Sequence, residues 1–359
     1  MGLPTDSADA AVVERPRWGF ARRWAGMLIA VILATIPLWR GDDSPLRIPM
    51  LPQLHSLGPW FQWLPALALL AAGAVLLASA EGTRRWGWWI VAAALGTAFL
   101  LDQHRLQPWA YQSAIYAVVF ATMPTQRARR WLIPLAASVY LYSGLGKLDY
   151  QFAHTVGQDF LAAIDLPWLG NLADRFEHNT LAMIALSLPL SEAVIAIGLL
   201  FTRTRRIAGT LVIALHASLI LMLGPWNLDH SDGVLLWNVL LILQAWFLFV
   251  RPRFEPPHSA EPEGKAPEPE GKIPSSTTAT AASPASPGQR FAMVLVMIAI
   301  LMPASERWGY WDHWTSWALY SPHTSRAMVE LHRAALRRVP AEMHPFLSDA
   351  DGDGWYRLD

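Results

Sequence analysis

The residues most able to do chemistry lie where an apolar helix gives way to polar sequence, around Lys147. A lysine at membrane depth is costly unless it has a partner, a water-filled cavity or a task. Ser143 and Tyr140 precede it by one and two turns on the same helical face. Gly144 and Gly146 would let another helix or a flat ligand approach the backbone. We therefore predict Lys147 as a catalytic base, with Tyr140 and Ser143 as ligand-binding residues. A lysine that extends to the lipid headgroups is the structural alternative.

Three more polar side chains lie inside predicted membrane helices. Counted from the outer face at about 1.5 Å per residue, Glu192 lies about 16 Å deep, His216 about 10 Å and Gln244 about 14 Å. Buried ionisable groups usually face the bundle interior and pair there. We expect Glu192 and His216 to be catalytic and to approach one another, directly or through Gln244, a predicted ligand-binding residue, or water. A hydrogen-bonded clasp that fixes helix packing is the alternative.

The same count separates Lys147 from Glu192 by about 15 Å, too far for a direct pair. The outer loops hold nearer acids: Asp149, Asp159 and Asp229. His154 and Gln158 are four residues apart and would share a face of an amphipathic helix over 150–163. Asp149, His154 and Gln158 are predicted to bind a ligand. The residues that could line an outer vestibule are His154, Gln158, Asp165, Trp168, Asp229, His230 and Asp232. A solvated loop is the alternative, and no metal site is predicted.

Composition limits the classes of function. The chain has 359 residues, of which 53% are hydrophobic and 16% charged, and this predicts an integral membrane protein. The formal net charge is zero, which gives no electrostatic reason to bind nucleic acid. The chain has no cysteine, so disulfides, thiol relays and thiolate-bound clusters are excluded. Any redox role must use a bound cofactor such as a quinone, or a partner protein.

Nine apolar runs are candidate membrane spans, and the loops between them test that count. The runs are Trp24–Trp39, Trp60–Ala80, Trp86–Leu101, Pro108–Met123, Trp131–Lys147, Leu181–Phe201, Ile207–Leu223, Leu235–Val250 and Phe291–Met302. Arginines gather in alternate loops, which predicts a cytoplasmic N-terminus and an outward C-terminus. The expected fold is an all-α bundle of eight to nine transmembrane helices in the inner membrane, with a small extracytoplasmic C-terminal tail.

Composition also divides the chain. We expect a cytoplasmic segment over 1–23, a helical bundle over 24–250, a disordered Pro-, Ala- and Ser-rich cytoplasmic linker over 251–290, a last span over 291–303 and a tail over 304–359. In the tail, 326–347 is compatible with strands or a short amphipathic helix. Asp349, Asp351 and Asp353 match the start of a calcium loop, although an acidic turn before a strand is favoured.

One stretch resembles a known family. GLGKLDYQFAHTVGQDF (Gly144–Phe160), followed by PLSEAVIAIGLLFTRTRRIAG (Pro189–Gly209), is similar to the DoxX/MauE group of small membrane bundles. Those proteins carry a glycine–lysine segment, then a span with a glutamate before a glycine–leucine run and a basic turn. The matching positions are Gly144–Leu148, Glu192, Gly198–Leu200 and Arg203–Arg206. The resemblance covers about 131–250 and implies a four-helix core linked to quinone or thiol redox systems.

GLGKLD also resembles the HTTM domain, the membrane domain of vitamin K-dependent gamma-carboxylases. His216–Trp226 is similar to the histidine-bearing span of that family. This second resemblance implies that Lys147 acts as base on a quinol at the extracytoplasmic side, with His216 as its companion.

Three functions remain as hypotheses. The first is a DoxX/MauE-type protein that supports an envelope redox pathway through a quinone or a partner protein, and the Glu192 span favours it slightly. The second is an HTTM-type, quinol-dependent, carboxylase-like enzyme with Lys147 as base. The third is a transporter or a structural bundle. All three have the lipid bilayer as a partner and none uses nucleic acid.

Overall fold

The computed structural model describes residues 19–40, 47–79, 84–163, 165–166, 170–171, 175–251, 284–318, 321, 330–348, 352 and 354–358. The N-terminal segment and the linker predicted from composition fall largely outside this set. Asp349, Asp351 and Asp353, the residues of the possible calcium loop, also lie outside it.

Helices dominate the described chain. They are, in order, α1 (Phe20–Ala34), α2 (Ile36–Trp39), α3 (Pro59–Ala78), α4 (Arg84–Leu101), α5 (Pro108–Thr122), α6 (Thr125–Gly146), α7 (Tyr150–His154), α8 (Val156–Ala162), α9 (His178–Leu200), α10 (Arg205–Leu223), α11 (Asp232–Ala245) and α12 (Pro287–Leu301). A π-helical turn, Trp246–Val250, extends α11. The strands are β1 (Asp165–Leu166), β2 (Gly170–Asn171), β3 (Glu330–His332), β4 (Leu347–Ser348) and β5 (Trp355–Leu358).

The described part of each predicted apolar run is helical except for single residues such as Thr35, Met123, Lys147 and Phe201, and the helix starts follow local sequence rules. Proline stands in the first turn of α3, α5 and α12, where its missing N–H removes no helical hydrogen bond. The last helix begins earlier than expected, at Pro287 rather than Phe291. Ser286 and Gln289 form a reciprocal capping box there, which satisfies two backbone N–H groups at the helix start.

In the described part of the chain, five helices are long and apolar enough to cross a membrane: Pro59–Ala78, His178–Leu200, Arg205–Leu223, Asp232–Val250 and Pro287–Trp308. Arg85–Leu101 is apolar but shorter. By length and composition these are the helices of an integral membrane protein. Large apolar side chains remain exposed along them, as Leu190, Val194 and Ile197 do on α9, which suits contact with lipid.

The helices pack into one bundle. α6 lies along α9, which contacts α10, and α10 contacts α11. On the other side α1 contacts α3 and α11, and the contacts continue from α3 to α4 and from α4 to α5. α12 packs against α5 and α6. A continuous core of buried apolar residues joins these elements, so the polar groups described below are enclosed by the bundle.

α6 stops beside the middle of α9, and two short helices continue its path. α7 and α8 both contact the first half of α9. Gly157 of α8 lies against α9, because a Cβ added to Gly157 would stand 2.8 Å from the Ala185 Cβ. Leu161 of α8 shares a buried cluster with Leu181. Thr155 separates the two helices with φ −129° and ψ −103°. The single amphipathic helix predicted over 150–163 is therefore wrong.

The tail adds a little β-structure to the helical fold. A 3₁₀ helix, Met302–Trp308, follows α12, and a short one covers Trp314–Ser316. β3, β5 and β4 then form an antiparallel sheet in that order. Two further 3₁₀ helices, Arg333–Arg338 and Ala341–Phe346, connect β3 to β4. The described part of 326–347 thus contains both a strand and short helices.

Candidate functional site

Lys147 and Glu192 form a direct, buried ion pair. Lys147 Nζ donates to Glu192 Oε1 at 2.7 Å and to Oε2 at 2.9 Å. Ser143 Oγ donates to Glu192 Oε2 at 2.9 Å. The Lys147 side chain is 7% exposed and the Glu192 side chain 11%. The prediction that these residues lie too far apart is wrong, whereas the common helical face of Ser143 and Lys147 is confirmed.

The depth count failed because it assumed that α6 reaches the outer face of the bundle. Instead its last turn lies against the backbone of α9. A Cβ on Gly144 would stand 2.6 Å from the carbonyl oxygen of Pro189 and 3.0 Å from the amide nitrogen of Ala193. This contact brings the end of α6 level with Glu192. Gly144 therefore serves helix packing, and a flat ligand cannot occupy that position.

The ion pair is neutral as a unit, and its hydrogen bonds offset the loss of water. Removing two charges from water costs several kcal/mol per ion, and the attraction between them repays this only with good geometry and further hydrogen bonds. The two short contacts of Lys147 Nζ supply the geometry, and the Ser143 hydroxyl supplies a further hydrogen bond. The pair thus buries an ammonium and a carboxylate without adding net charge to the bundle.

His216 belongs to a second cluster beside the first. Asn238 Nδ2 donates to the Val234 carbonyl at 2.9 Å, so its Oδ1 faces His216 Nδ1 at 2.7 Å. The amide oxygen can only accept, so Nδ1 carries the hydrogen of a neutral imidazole. His216 Nε2 then accepts from the Tyr140 hydroxyl at 3.1 Å. The arrangement leaves His216 able to take a proton from Tyr140.

A third group of hydrogen bonds is fixed in direction by an indole. Trp237 Nε1 can only donate, and it donates to Gln112 Oε1 at 3.1 Å. Gln112 Nε2 must then donate to Gln244 Oε1, at 2.8 Å, which also accepts from the Tyr116 hydroxyl at 2.6 Å. Gln244 also lies beside the Tyr140 hydroxyl, although its Nε2 group makes no hydrogen bond of good geometry among the described residues. A water or a ligand oxygen would satisfy it.

The predicted contact between Glu192 and His216 is wrong as a direct or Gln244-bridged bond. Glu192 bonds Lys147 and Ser143, while His216 bonds Tyr140 and Asn238. Gln244 instead joins α11 to α5. Even so, Glu192 and Lys147 lie close enough to His216 to act on it electrostatically. Because Tyr140 and Lys147 are on the same helix, α6 connects the two clusters.

The outer residues predicted to bind a ligand are divided between separate places. Asp149 Oδ1 accepts from the Phe152 amide and caps α7. His154 stacks on Tyr150 at 3.9 Å between ring centroids, and Gln158 lies on α8 beyond the break at Thr155. The shared face predicted for His154 and Gln158 is therefore wrong. The Gln158 Nε2 group is buried without a partner among the described residues.

A cavity of about 1030 Å³ lies between the bundle and the tail. Its wall includes Trp109, Trp237 and Trp314, and two residues of the predicted vestibule, His230 and Asp232. The volume and the aromatic lining suit a ring-shaped ligand such as a quinone headgroup. Ala318 and Ser321 also line the cavity and contact Gly146, the residue before Lys147. Lys147 and Glu192 do not line the cavity, which approaches the end of α6 through Ala318 and Ser321.

Among the residues described, no group of three or more His, Asp or Glu side chains is arranged to hold a metal ion. For a quinone the chain offers hydrogen-bond donors instead. Ser143 and Lys147 could hold a quinone oxygen if Glu192 yielded part of its hydrogen bonding. The indole-lined cavity is a separate position for a ring, because neither Ser143 nor Lys147 lines it.

Sequence reasoning missed several buried polar residues of the bundle: Gln112, Tyr116, Trp237, Asn238 and Arg105. Polar residues within apolar runs were a visible signal for most of them. Arg105 is different, because it lies in the short 3₁₀ turn Gln103–Arg105 and donates to the Leu38 and Gln62 carbonyls at 3.2 Å. Burial lowers the pKa of its guanidinium, and the charge of Asp102 acts in the opposite direction.

Comparison of the chain with protein-family models, curated proteins and solved structures found no match. The resemblances to the DoxX/MauE and HTTM groups therefore rest on the motif residues, and the functional argument rests on the geometry of the buried polar layer.

Proposed function

We propose that this chain is a quinone-linked redox protein of the inner membrane, in which Lys147 and Glu192 exchange protons with a quinol. The observation that carries the proposal is the 2.7 Å contact between Lys147 Nζ and Glu192 Oε1 inside the bundle. A purely structural bundle has little reason to keep a buried ion pair, because apolar residues of similar volume are often as stable or more stable.

The chemistry uses the pair as a proton store. Transfer of a proton from the Lys147 ammonium to the Glu192 carboxylate leaves a neutral amine beside a neutral acid. If a quinol were held beside the pair, the Lys147 amine would be the base that accepts its hydroxyl proton, and the resulting ammonium would supply a positive charge to stabilise the deprotonated oxygen.

An HTTM-type, quinol-dependent enzyme is the form that the geometry supports best. Lys147 and His216, the two residues implied by that resemblance, lie in adjoining clusters linked through Tyr140. The cavity of about 1030 Å³ beside the end of α6 offers room for a ligand or substrate. Lys147 acts as the base in this form, and His216 is the group that accepts a proton from Tyr140.

A DoxX/MauE-type accessory protein is the second candidate, and the ion pair itself favours it. The lysine and glutamate of that family's motif correspond to Lys147 and Glu192, which are partners in space. In this form the bundle supports an envelope redox pathway by exchanging electrons and protons between a quinone and a partner protein. The DoxX/MauE and HTTM forms share the quinone and differ in whether a substrate is also converted.

The proposed topology has a cytoplasmic N-terminus, nine crossings and an extracytoplasmic tail. Support comes from the arginines in alternate loops and from the apolar helices. In this orientation α7 and α8 lie in the outer half of the membrane and cover the ion pair from that side. Thr155, at the break between α7 and α8, is exposed, so this orientation requires that the break faces water rather than lipid.

The test is purification in mild detergent, followed by solvent extraction and mass spectrometry of bound quinones. Wild type is expected to retain a quinone, and Lys147→Ala and Glu192→Gln are expected to lose most of it. Lys265→Ala is the matched control, since that lysine lies in the composition-biased linker. A wild-type protein that carries no quinone, or variants that carry as much as wild type, would reject the proposal in favour of a structural bundle or a transporter.

A further inference from the structure

Two side chains of the tail bind the carboxyl end of α6. Arg307 Nη2 donates to the Leu145 carbonyl at 2.9 Å, and Ser321 Oγ donates to the Gly146 carbonyl. Carbonyl groups in the last turn of a helix lack helical partners and carry partial negative charge, so a hydroxyl and a guanidinium are suitable partners. These contacts join residues more than 160 positions apart in sequence.

The tail is itself fixed where it delivers Ser321. Trp317 is 1% exposed and adopts a left-handed conformation, with φ +60°. Its indole donates to the Ala299 carbonyl at 3.5 Å and lies against Tyr111. A left-handed conformation is uncommon for a bulky residue and persists only where the surroundings impose it. The buried Trp317 therefore sets the direction of the chain towards α6.

Close packing continues to the residue before the lysine. A Cβ on Gly146 would lie 3.5 Å from both the Ala318 Cβ and the Ser321 Oγ, which is ordinary contact. Tyr142, one turn earlier on α6, donates its hydroxyl to the Ile300 carbonyl at 2.8 Å. The last turn of α6 is thus held by α9 on one side and by α12 and the tail on the other.

We propose that Ser321 and Arg307 are positioning residues for Lys147. By binding the last carbonyls of α6 they fix the point at which the helix ends, and so they hold the Lys147 ammonium on Glu192. The importance of this for activity rests on the proposed function, but the contacts and their test do not. The tail is then an integral part of the site, although it follows the last predicted span.

The chain offers a direct measurement, because it contains only Lys147, Lys265 and Lys272. Purified full-length protein is treated with an amine-reactive ester, and the modification rate of each lysine is followed by peptide mass spectrometry. In wild type we expect Lys147 to react far more slowly than the two linker lysines. In the double variant Arg307→Gln/Ser321→Ala we expect its rate to rise about tenfold, as the loss of two hydrogen bonds implies.

Matched controls separate positioning from general loosening. Arg337→Gln and Ser218→Ala alter an exposed tail arginine and a helix-surface serine and should leave the Lys147 rate unchanged. Arg307→Lys, which keeps a charged donor, should restore part of the protection. The thermal transition is measured for each variant, and rates are compared well below it. If the double variant does not fold, the modification rate of Lys147 is compared between the single variant Ser321→Ala and wild type.

The proposal is overturned if Lys147 stays as protected in the folded Ser321→Ala and double variants as in wild type. It is also overturned if Lys147 becomes reactive only in step with thermal unfolding, because the tail would then stabilise the fold without positioning the lysine. Neither result depends on whether a quinone co-purifies, so the two proposals can fail separately.

Discussion

At the scale of single residues, the buried polar side chains form hydrogen bonds whose directions can be deduced. The Trp237 indole can only donate, and this fixes the orientation of the Gln112 amide and then of the Gln244 amide. The Asn238 amide oxygen fixes the tautomer of His216. Lys147 and Glu192 add a neutral ion pair nearby. A layer in which most polar groups are satisfied is rigid, and the few unsatisfied groups, such as Gln244 Nε2, mark places where water or a ligand oxygen can bind.

Breaking the ion pair on one side should destabilise the protein more than removing both partners. Lys147→Met leaves the Glu192 carboxylate buried without its counter-ion, and this should cost about 3–5 kcal/mol. The double variant Lys147→Met/Glu192→Leu removes that isolated charge and should recover much of the loss. Thermal melts in detergent measure both, with Lys265→Met as control. A double variant less stable than the single one would contradict a buried, mutually dependent pair.

Removing the Tyr140 hydroxyl should lower the free energy of unfolding, although only one oxygen atom is lost. Tyr140→Phe leaves His216 Nε2 without its donor, and an unsatisfied buried group costs about 1–3 kcal/mol. Tyr310→Phe is the matched control, because Tyr310 is 78% exposed. The comparison of melting temperatures in the same detergent is the measurement. Equal stability of the two variants would mean that the hydrogen bond from Tyr140 to His216 does not form.

At the scale of elements, the position at which α6 ends decides which residue Lys147 pairs with. The helical face on which Lys147 lies does not decide this by itself. The close contact of Gly144 with the backbone of α9 sets the height of Lys147, and α7 and α8 fill the space that remains beside α9. Asp149, two residues after the lysine, caps the start of α7. An interruption of this kind places a charged side chain inside the bundle, while the backbone at Thr155 is exposed and needs water rather than lipid beside it.

A methyl group at Gly144 should separate α6 from α9. The added Cβ would meet backbone atoms at 2.6 and 3.0 Å, which cannot turn aside as a flexible side chain can. Gly144→Ala should therefore lower the melting temperature and expose Lys147 to the amine reagent. Gly96→Ala is the control, since nothing lies within 4 Å of its added Cβ and alanine favours helix. A Gly144→Ala protein with the melting temperature and the Lys147 reactivity of wild type would contradict the α6–α9 contact.

At the scale of the whole molecule, the bundle, the short helices α7 and α8 and the tail all meet around the end of α6. α12 and the tail contact α5 and α6, and the tail shares the wall of the large cavity with α1, α2, α5 and α11. The proposed orientation puts this cavity on the extracytoplasmic side, where a water-soluble substrate could reach it from outside the membrane.

The proposed orientation can be tested because the chain lacks cysteine. Gln53→Cys, in an outer loop, should react with a membrane-impermeant maleimide on spheroplasts. Thr125→Cys, at the inner end of α6, should react only after the membrane is permeabilised. Both positions are exposed, so burial does not confuse the comparison. The reverse pattern would invert the topology and place the tail in the cytoplasm.

The sequence by itself determined the helical class, the membrane character and the common face of Tyr140, Ser143 and Lys147. These follow from hydrophobic composition and from the 3.6-residue period of the helix, both of which are local properties. Only the tertiary structure decided which groups pair. The depth of Lys147 depends on where α6 stops relative to α9, and that is set by contacts of Gly144 and Gly146 with distant residues, which no local pattern encodes.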